Sequence, residues 1–216
     1  MHVISVNAGK PERMNLGSRE TTTGIRKHPV DGPVAIGRLG VAGDAVMDKR
    51  VHGGPDQAVY VFGGADYAWW SSELGESLAP GIFGENLTIS DLESAECAIG
   101  DRFAVGNTVV LEVTAPRIPC ATLATRMGDP QFIKRYRDAE RPGLYARVIA
   151  EGTVQADDPV TLTPVDGERV TARELFRDNY AREHAALDLR RFLSVPLAER
   201  MRVAKQALLD KLAPAI

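Results

Sequence analysis

The chain has little cysteine, and what it has is not paired in sequence. Cys97 and Cys120 are the only two among 216 residues. Two cysteines cannot build a disulfide framework, and in a reducing cytoplasm both are expected as free thiols. No C-x-x-C or H-E-x-x-H pattern occurs, so neither a structural zinc nor a zinc-protease site is expected. No run is apolar and long enough to span a bilayer. The N-terminus, MHVISVNAGKPERM, lacks the basic start and apolar stretch of a signal peptide. A cytoplasmic protein without a membrane partner is the expectation. A basic excess is missing too. The formal net charge is −3, which does not point to nucleic acid as a partner.

What is present is an ordinary globular composition, 44% hydrophobic and 25% charged, which argues against wholesale disorder. Residues 1–168 read as short strands punctuated by glycine and proline, a pattern that predicts a closed or nearly closed β-barrel. Gly106-Asn107 divides two strand-like runs and predicts a hairpin turn, and Glu151-Gly152 suggests a second. Helical insertions are expected around GADYAWWSSELG and PQFIKRYRDAE. From residue 169 to 216 the text turns helical, and three helices are expected. Thr171 and Glu174 form a capping-box pattern ahead of ARELFRDNY. DLRRFL gives a short second helix, and Pro196 suits the first turn of a third. In that third helix Leu197, Met201, Ala204, Leu208 and Leu212 fall on one face, a stripe read as packing. Residues 171–216 carry a net +3, which leaves −6 for the rest. The expected organisation is a β-rich body, 1–168, and a small helical extension, 169–216.

Three stretches could carry chemistry. In APRIPCATL, Cys120 lies three residues after Arg117 and directly after Pro119. A nearby cation lowers a thiol pKa, and prolines restrict the direction of the chain. The alternative is a buried packing cysteine. Cys97 has no such setting and reads as structural. In DKRVHGGPDQAVYVF, Arg50 and His52 precede Gly53 and Gly54, a backbone able to approach an anion. His52 could also exchange protons near neutral pH, and Asp56 is expected to shape the turn. The alternative is a solvated hairpin corner. In PGIFGENLTI, Asn86 could match the edge of a heterocycle; otherwise it lies in a plain glycine-rich loop. Arg147 either faces solvent or lines the same pocket. Trp69-Trp70 reads as core and rim, and His2, His28 and His184 lack supporting context.

The stretches VAGDAVMDKRVHGGPDQAVYVF, FGENLTI, CAIGDRFAVGNTVVLEVTAPRIPC and GLYARVIAEGTV together resemble MOSC domains in their order and spacing. The family is named after the C-terminal domain of molybdenum cofactor sulfurases. The likeness extends to bacterial stand-alone members of YiiM type with a three-helix extension. It implies a MOSC-type β-barrel that binds the molybdenum cofactor. Cys120 would be the metal ligand beside the cofactor's own dithiolene sulfurs. It also implies cofactor or substrate contacts at Arg50, His52, Gly53 and Gly54, a pterin contact at Asn86, and a cofactor role for Arg117 and Arg147. His52 would share the catalytic role with Cys120. The implied activity is reduction of an N-hydroxylated small molecule, such as an N-hydroxylated nucleobase, with electrons from a separate redox protein. A sulfur carrier using a Cys120 persulfide, and a non-catalytic cofactor-binding or delivery protein, are the alternatives. Glu85 departs from animal amidoxime-reducing relatives, which have a basic residue near that position; phosphate contact there is thus not expected. The helical extension is read first as packing and second as a docking surface for the electron donor. Homodimer formation is left open.

Overall fold

The structure, a computed structural model, describes residues 1–17, 19–47 and 52–212. The chain begins with six strands: β1 (Val3–Gly9), β2 (Glu12–Leu16), β3 (Arg19–Thr23), β4 (Lys27–Pro29), β5 (Val34–Gly37) and β6 (Gly40–Val41). Then follow β7 (Val59–Gly63), α1 (Gly64–Leu74), β8 (Leu87–Ile89), β9 (Arg102–Val105) and β10 (Val109–Pro116). The third part holds α2 (Ala121–Arg126), α3 (Phe132–Ala139), β11 (Leu144–Ala150), β12 (Gly152–Val154) and β13 (Val160–Thr163). Three helices close the described chain: α4 (Ala172–Asp178), α5 (Ala186–Leu193) and α6 (Glu199–Leu212).

Eight strands form one mixed sheet in the order β13-β9-β10-β11-β7-β8-β1-β4, in which only β7 and β8 run parallel. β12, β5 and β6 form a second sheet, and β2 with β3 a separate hairpin. The expected closed barrel is not found as a continuous ladder among the described residues. The sheet curls until Val3 N–H donates to Asp158 O at 2.9 Å and Val160 N–H to Met1 O at 3.0 Å. Between them Pro159 meets His2 in an isolated bridge. The preceding turn holds Asp157 at φ 68°.

Gly106-Asn107 makes the expected hairpin, with Val105 opposite Val109. Glu151-Gly152 does not. There the chain leaves the large sheet, and β12 pairs with β5 instead. The cause is a close crossing: a Cβ on Gly152 would lie 1.9 Å from Thr108 Oγ1. Both expected helical insertions are present as α1 and α3. Helix α2, directly after Cys120, was not anticipated.

Two apolar clusters hold the fold. One fills the sheet interior with Val61, Leu87, Phe103 and Leu111, and takes in Leu175, Phe192 and Leu197 from the C-terminal segment. The other is aromatic, with Trp70 and Tyr136 stacked at 5.7 Å and Phe62 on Phe83 at 4.4 Å. Burying each such side chain is worth roughly 1.5–3 kcal/mol. Cys97 lies in the first cluster, where burial pushes its thiol pKa up to about 12. Trp70 is fully buried and Trp69 half-buried, core and rim as expected.

The capping box at α4 is complete. Glu174 N–H donates to Thr171 Oγ1 at 3.2 Å, and Thr171 N–H to Glu174 Oε2 at 2.8 Å. The packing stripe on the last helix needs correction. Helix α6 begins at Glu199, so Pro196 and Leu197 precede it. Ala204 and Leu212 are exposed, and the residue that α6 buries is Lys205, 5% exposed. Lys205 donates to Asp178, which also meets His184 Nδ1 at 2.9 Å. That ion cluster, which apolar periodicity cannot register, ties α6 to the end of α4.

Candidate functional site

Strand β10 delivers the site. It ends at Pro116, Arg117 follows at once, and Cys120 is the N-cap residue of α2. Cys120 is extended, at φ −136° and ψ 170°, and its carbonyl accepts from Leu123 N–H at 2.9 Å. Its thiol opens on a cleft of ≈ 280 Å³. His52, Gly53, Tyr60, Asn86, Arg117 and Tyr145 share the wall of that cleft with Cys120.

Burial alone would raise the Cys120 pKa. A hydrogen bond from His52, the positive field of Arg117 and the Leu123 N–H outweigh it and bring the thiol down to about 6. Above that pH the sulfur is a thiolate, the form that binds soft metals and acts as a nucleophile. His52 is held from its other side, with Nδ1 3.3 Å from Tyr145 Oη. Burial keeps that phenol protonated by raising its pKa.

Arg117 is 4% exposed. It donates to Phe83 O and lies over the Tyr60 ring, 5.0 Å from its centroid. Its Nε is buried without a hydrogen-bond partner among the described residues. An unsatisfied charged donor on a cleft wall is costly unless a ligand completes it.

The glycine-rich corner behaves as its sequence suggests at one of two positions. Gly53 lines the cleft at φ 69°, and a Cβ there would come within 2.8 Å of Val46 Cγ1. Gly54, at φ 87°, is not on the cleft wall. Arg50 lies outside the described residues. Asp56 lies in the turn Pro55–Gln57, and its carboxylate reaches out of it. Its Oδ2 accepts from Glu199 N–H at 2.9 Å, and its Oδ1 lies 3.1 Å from Arg147 Nε.

Two expected cofactor contacts are corrected. Arg147 is not on the cleft wall; it faces Asp56 and Glu112 and donates to the carbonyls of Pro196 and Leu197. Its strand alternation aims it at the C-terminal segment. Asn86 does line the cleft, but its amide is spent on the protein. Oδ1 accepts from Tyr60 N–H at 3.1 Å, and Nδ2 donates to Asp44 Oδ2 at 2.9 Å. Glu85 points away from the cleft. It is fully buried and accepts from Tyr67 Oη at 2.5 Å, Gly81 N–H at 2.6 Å and Thr88 Oγ1 at 2.9 Å. Burial raises its pKa.

Sequence reasoning missed Lys27 and Asp44. Lys27 is 7% exposed, lines the cleft and donates to Asp44. Burial lowers its pKa, which Asp44 only partly opposes. A lysine on a three-residue strand carries no periodic signal, and its partner lies 17 residues away. Also missed was the β2–β3 hairpin as a wall of the cleft, through Leu16, Arg19 and Thr21.

Among the described residues no group of His, Cys, Asp and Glu could hold a metal by itself. No described helix is long and apolar enough to cross a membrane.

With this geometry in place, comparison with known proteins is informative. The MOSC domain family matches residues 48–161, more than half of the chain. YflK of Bacillus subtilis is 32% identical over 213 residues, covering 98% of this chain and 96% of that protein. YiiM of Escherichia coli is 34% identical over 163 residues, 74% of this chain and 70% of that protein. A protein of Gibberella moniliformis named "Reductase" is 33% identical over 163 residues, which span only 29% of its length. Crystal structures of YiiM superpose with TM-scores of 0.79 for Geobacillus stearothermophilus and 0.76 for Escherichia coli. Their identities are 26% and 25%; the first match covers 96% of this chain and 98% of that one, the second 100% and 96%. The cleft with its activated cysteine therefore sits in a YiiM-like, sheet-rich fold, and the chain belongs to the MOSC domain family.

Proposed function

We propose that the protein is a molybdenum-cofactor-dependent reductase of N-hydroxylated compounds, N-hydroxylated nucleobases among them, with Cys120 as the protein's ligand to the metal. MOSC membership supports a molybdenum-cofactor-related role at the level of the family. The observation that carries the finer reading is the Cys120 thiol, with a pKa of about 6, on the wall of an open cleft.

The residues present fit the cofactor. A metal that arrives with its own dithiolene needs one soft ligand from the protein, and Cys120 is that donor. The cofactor is also anionic, and Arg117 and Lys27 are buried cations on the same wall, Arg117 with a donor to spare. When bound, the group supplies the two-electron chemistry that breaks an N–O bond, with electrons from a separate redox protein. The chain's own tasks are electrostatic and positional. Arg117 and His52 hold Cys120 as thiolate, Tyr145 orients His52 through Nδ1, and Asp44 fixes Lys27.

The test is elemental analysis of protein made in a cofactor-competent host, followed by turnover of 6-N-hydroxylaminopurine with an electron donor. Stoichiometric molybdenum in the wild type, absent in Cys120→Ala, together with amine formation is the expected result. Metal without turnover would favour cofactor delivery instead. The Cys120–His52 contact equally suits a persulfide carrier. Sulfane sulfur on Cys120 by mass spectrometry, with no molybdenum, would select that reading.

A further inference from the structure

The hairpin β2–β3 pairs with no other described strand. It is nonetheless anchored, because Met14 is 5% exposed and belongs to the aromatic cluster. Its register places Leu16 opposite Arg19, Met14 opposite Thr21 and Glu12 opposite Thr23. Directly opposed residues of an antiparallel pair share a face. Leu16, Arg19, Thr21 and Thr23 thus share a face, and all four line the Cys120 cleft, as does Thr22 between them.

Charge on this hairpin is unevenly satisfied. Glu12 pairs with Arg26 at 3.1 Å and Glu20 with Arg13 at 3.7 Å. Both carboxylates are therefore taken by other arginines. Arg19 is exposed at the cleft mouth, and its guanidinium has no hydrogen bond or ion pair with any described residue. The buried cations differ: Lys27 has Asp44, and Arg117 has the Phe83 carbonyl and the Tyr60 ring. Ile25 and Val46 line the same cleft among polar residues such as Thr21 and Thr23. The cleft thus carries the Cys120 thiol and, at exposed Arg19, a guanidinium without a partner among the described residues.

We propose that Arg19 is a specificity-determining residue that favours substrates bearing a phosphate monoester remote from the N–O bond. N-hydroxylated nucleotides are then taken in preference to the free bases. This rests on the reductase reading above. A guanidinium offers paired donors that match phosphate oxygens, and charge-assisted bonds of that kind outlast neutral ones. At an exposed rim the preference weakens as salt rises.

The test compares 6-N-hydroxylaminopurine with its ribonucleoside 5′-monophosphate on molybdenum-loaded wild type, Arg19→Gln and Arg19→Lys. The wild type should favour the monophosphate in kcat/KM. Arg19→Gln should lower the ratio of the two values about tenfold, and Arg19→Lys should restore part of it. Equilibrium dialysis of adenosine 5′-monophosphate against adenosine, on the same proteins, reads the preference without turnover. A ratio unchanged by Arg19→Gln in both measurements overturns the inference. So does loss of molybdenum from Arg19→Gln, which would give Arg19 to the cofactor. If no compound turns over but dialysis shows the Arg19-dependent preference, the reductase reading fails and the role of Arg19 stands.

Discussion

The cleft wall and the C-terminal helices both bury lysine, and the surroundings differ. Lys27 lies beside an open cavity with Asp44 as its ion-pair partner, near a second buried cation, Arg117. Lys205 lies between α4, α5 and α6, bonded to Asp178 and 5.7 Å from the Phe192 ring centre, while Asp178 is further held by His184. One cluster leaves two buried cations on the wall of a cavity, and Arg117 Nε has no partner among the described residues. The other closes on itself. A buried charge that is fully answered serves architecture, whereas one left partly unanswered beside a cavity marks where a ligand belongs.

That contrast can be broken by substitution. The largest effect on stability is expected in the C-terminal cluster. Asp178→Ala leaves the Lys205 ammonium buried without its counter-charge and should cost about 3 kcal/mol in urea unfolding. The double substitution Asp178→Leu with Lys205→Met, which replaces both charges by apolar volume, should stay within about 1 kcal/mol of wild type. Neither should alter the reactivity of Cys120. An altered alkylation rate in either variant would show that the two clusters are not separate.

The largest effect on chemistry is expected in the cleft. Alkylation of Cys120 by iodoacetamide should rise with pH and reach half its maximum near pH 6. The folded pKa lies below the ordinary thiol value of about 9. The stability it contributes is therefore complete above about pH 9 and lost as pH falls through 6. His52→Ala should move the alkylation midpoint upward by about one pH unit and, by the same linkage, lower the unfolding free energy by about 1.4 kcal/mol above pH 9. An unmoved midpoint would show that Arg117 and the Leu123 N–H suffice without His52.

The smallest effect is expected at the join. Asp56→Asn removes the charge facing Arg147 and weakens the acceptor for Glu199 N–H. A loss of about 0.5–1 kcal/mol is expected from so exposed a pair, with a slight rise in the Cys120 midpoint. A change in only one of the two readouts would mean that the loop and the helices are not coupled through Asp56.

Much of this was legible in the sequence where chemistry and local geometry coincide. The proline-flanked Cys120 with Arg117, the glycine at 53 and the capping box at Thr171 each depend on near neighbours, and each is found. Readings that needed distant partners fared worse. Arg147 alternates on its strand as a cleft residue would, but Asp56 and Glu112 claim it. Asn86 has the right amide in the right loop, yet Tyr60 N–H and Asp44 consume it. The stripe on the last helix holds at Leu197 and Met201, which pack on the core, and fails at Ala204 and Leu212, while an ion pair across 27 residues also seats α6. Strand patterning predicts a continuous closing ladder, whereas among the described residues the large sheet is brought round only by the isolated His2–Pro159 bridge.

Asp56 has one more consequence, in time rather than in space. The loop that carries His52 and Gly53 is anchored four residues on by Glu199 N–H, and Gln57 on the cleft wall meets Arg200 at 2.9 Å. Those anchors lie 143 residues downstream. At the pace of translation, roughly 5–20 residues per second, they leave the ribosome several seconds after Gln57. A nascent chain can thus form β10 and place Cys120 before the His52 loop is fastened. The cleft is finished only when α6 arrives, so whatever occupies it meets the completed protein and not the chain still being made.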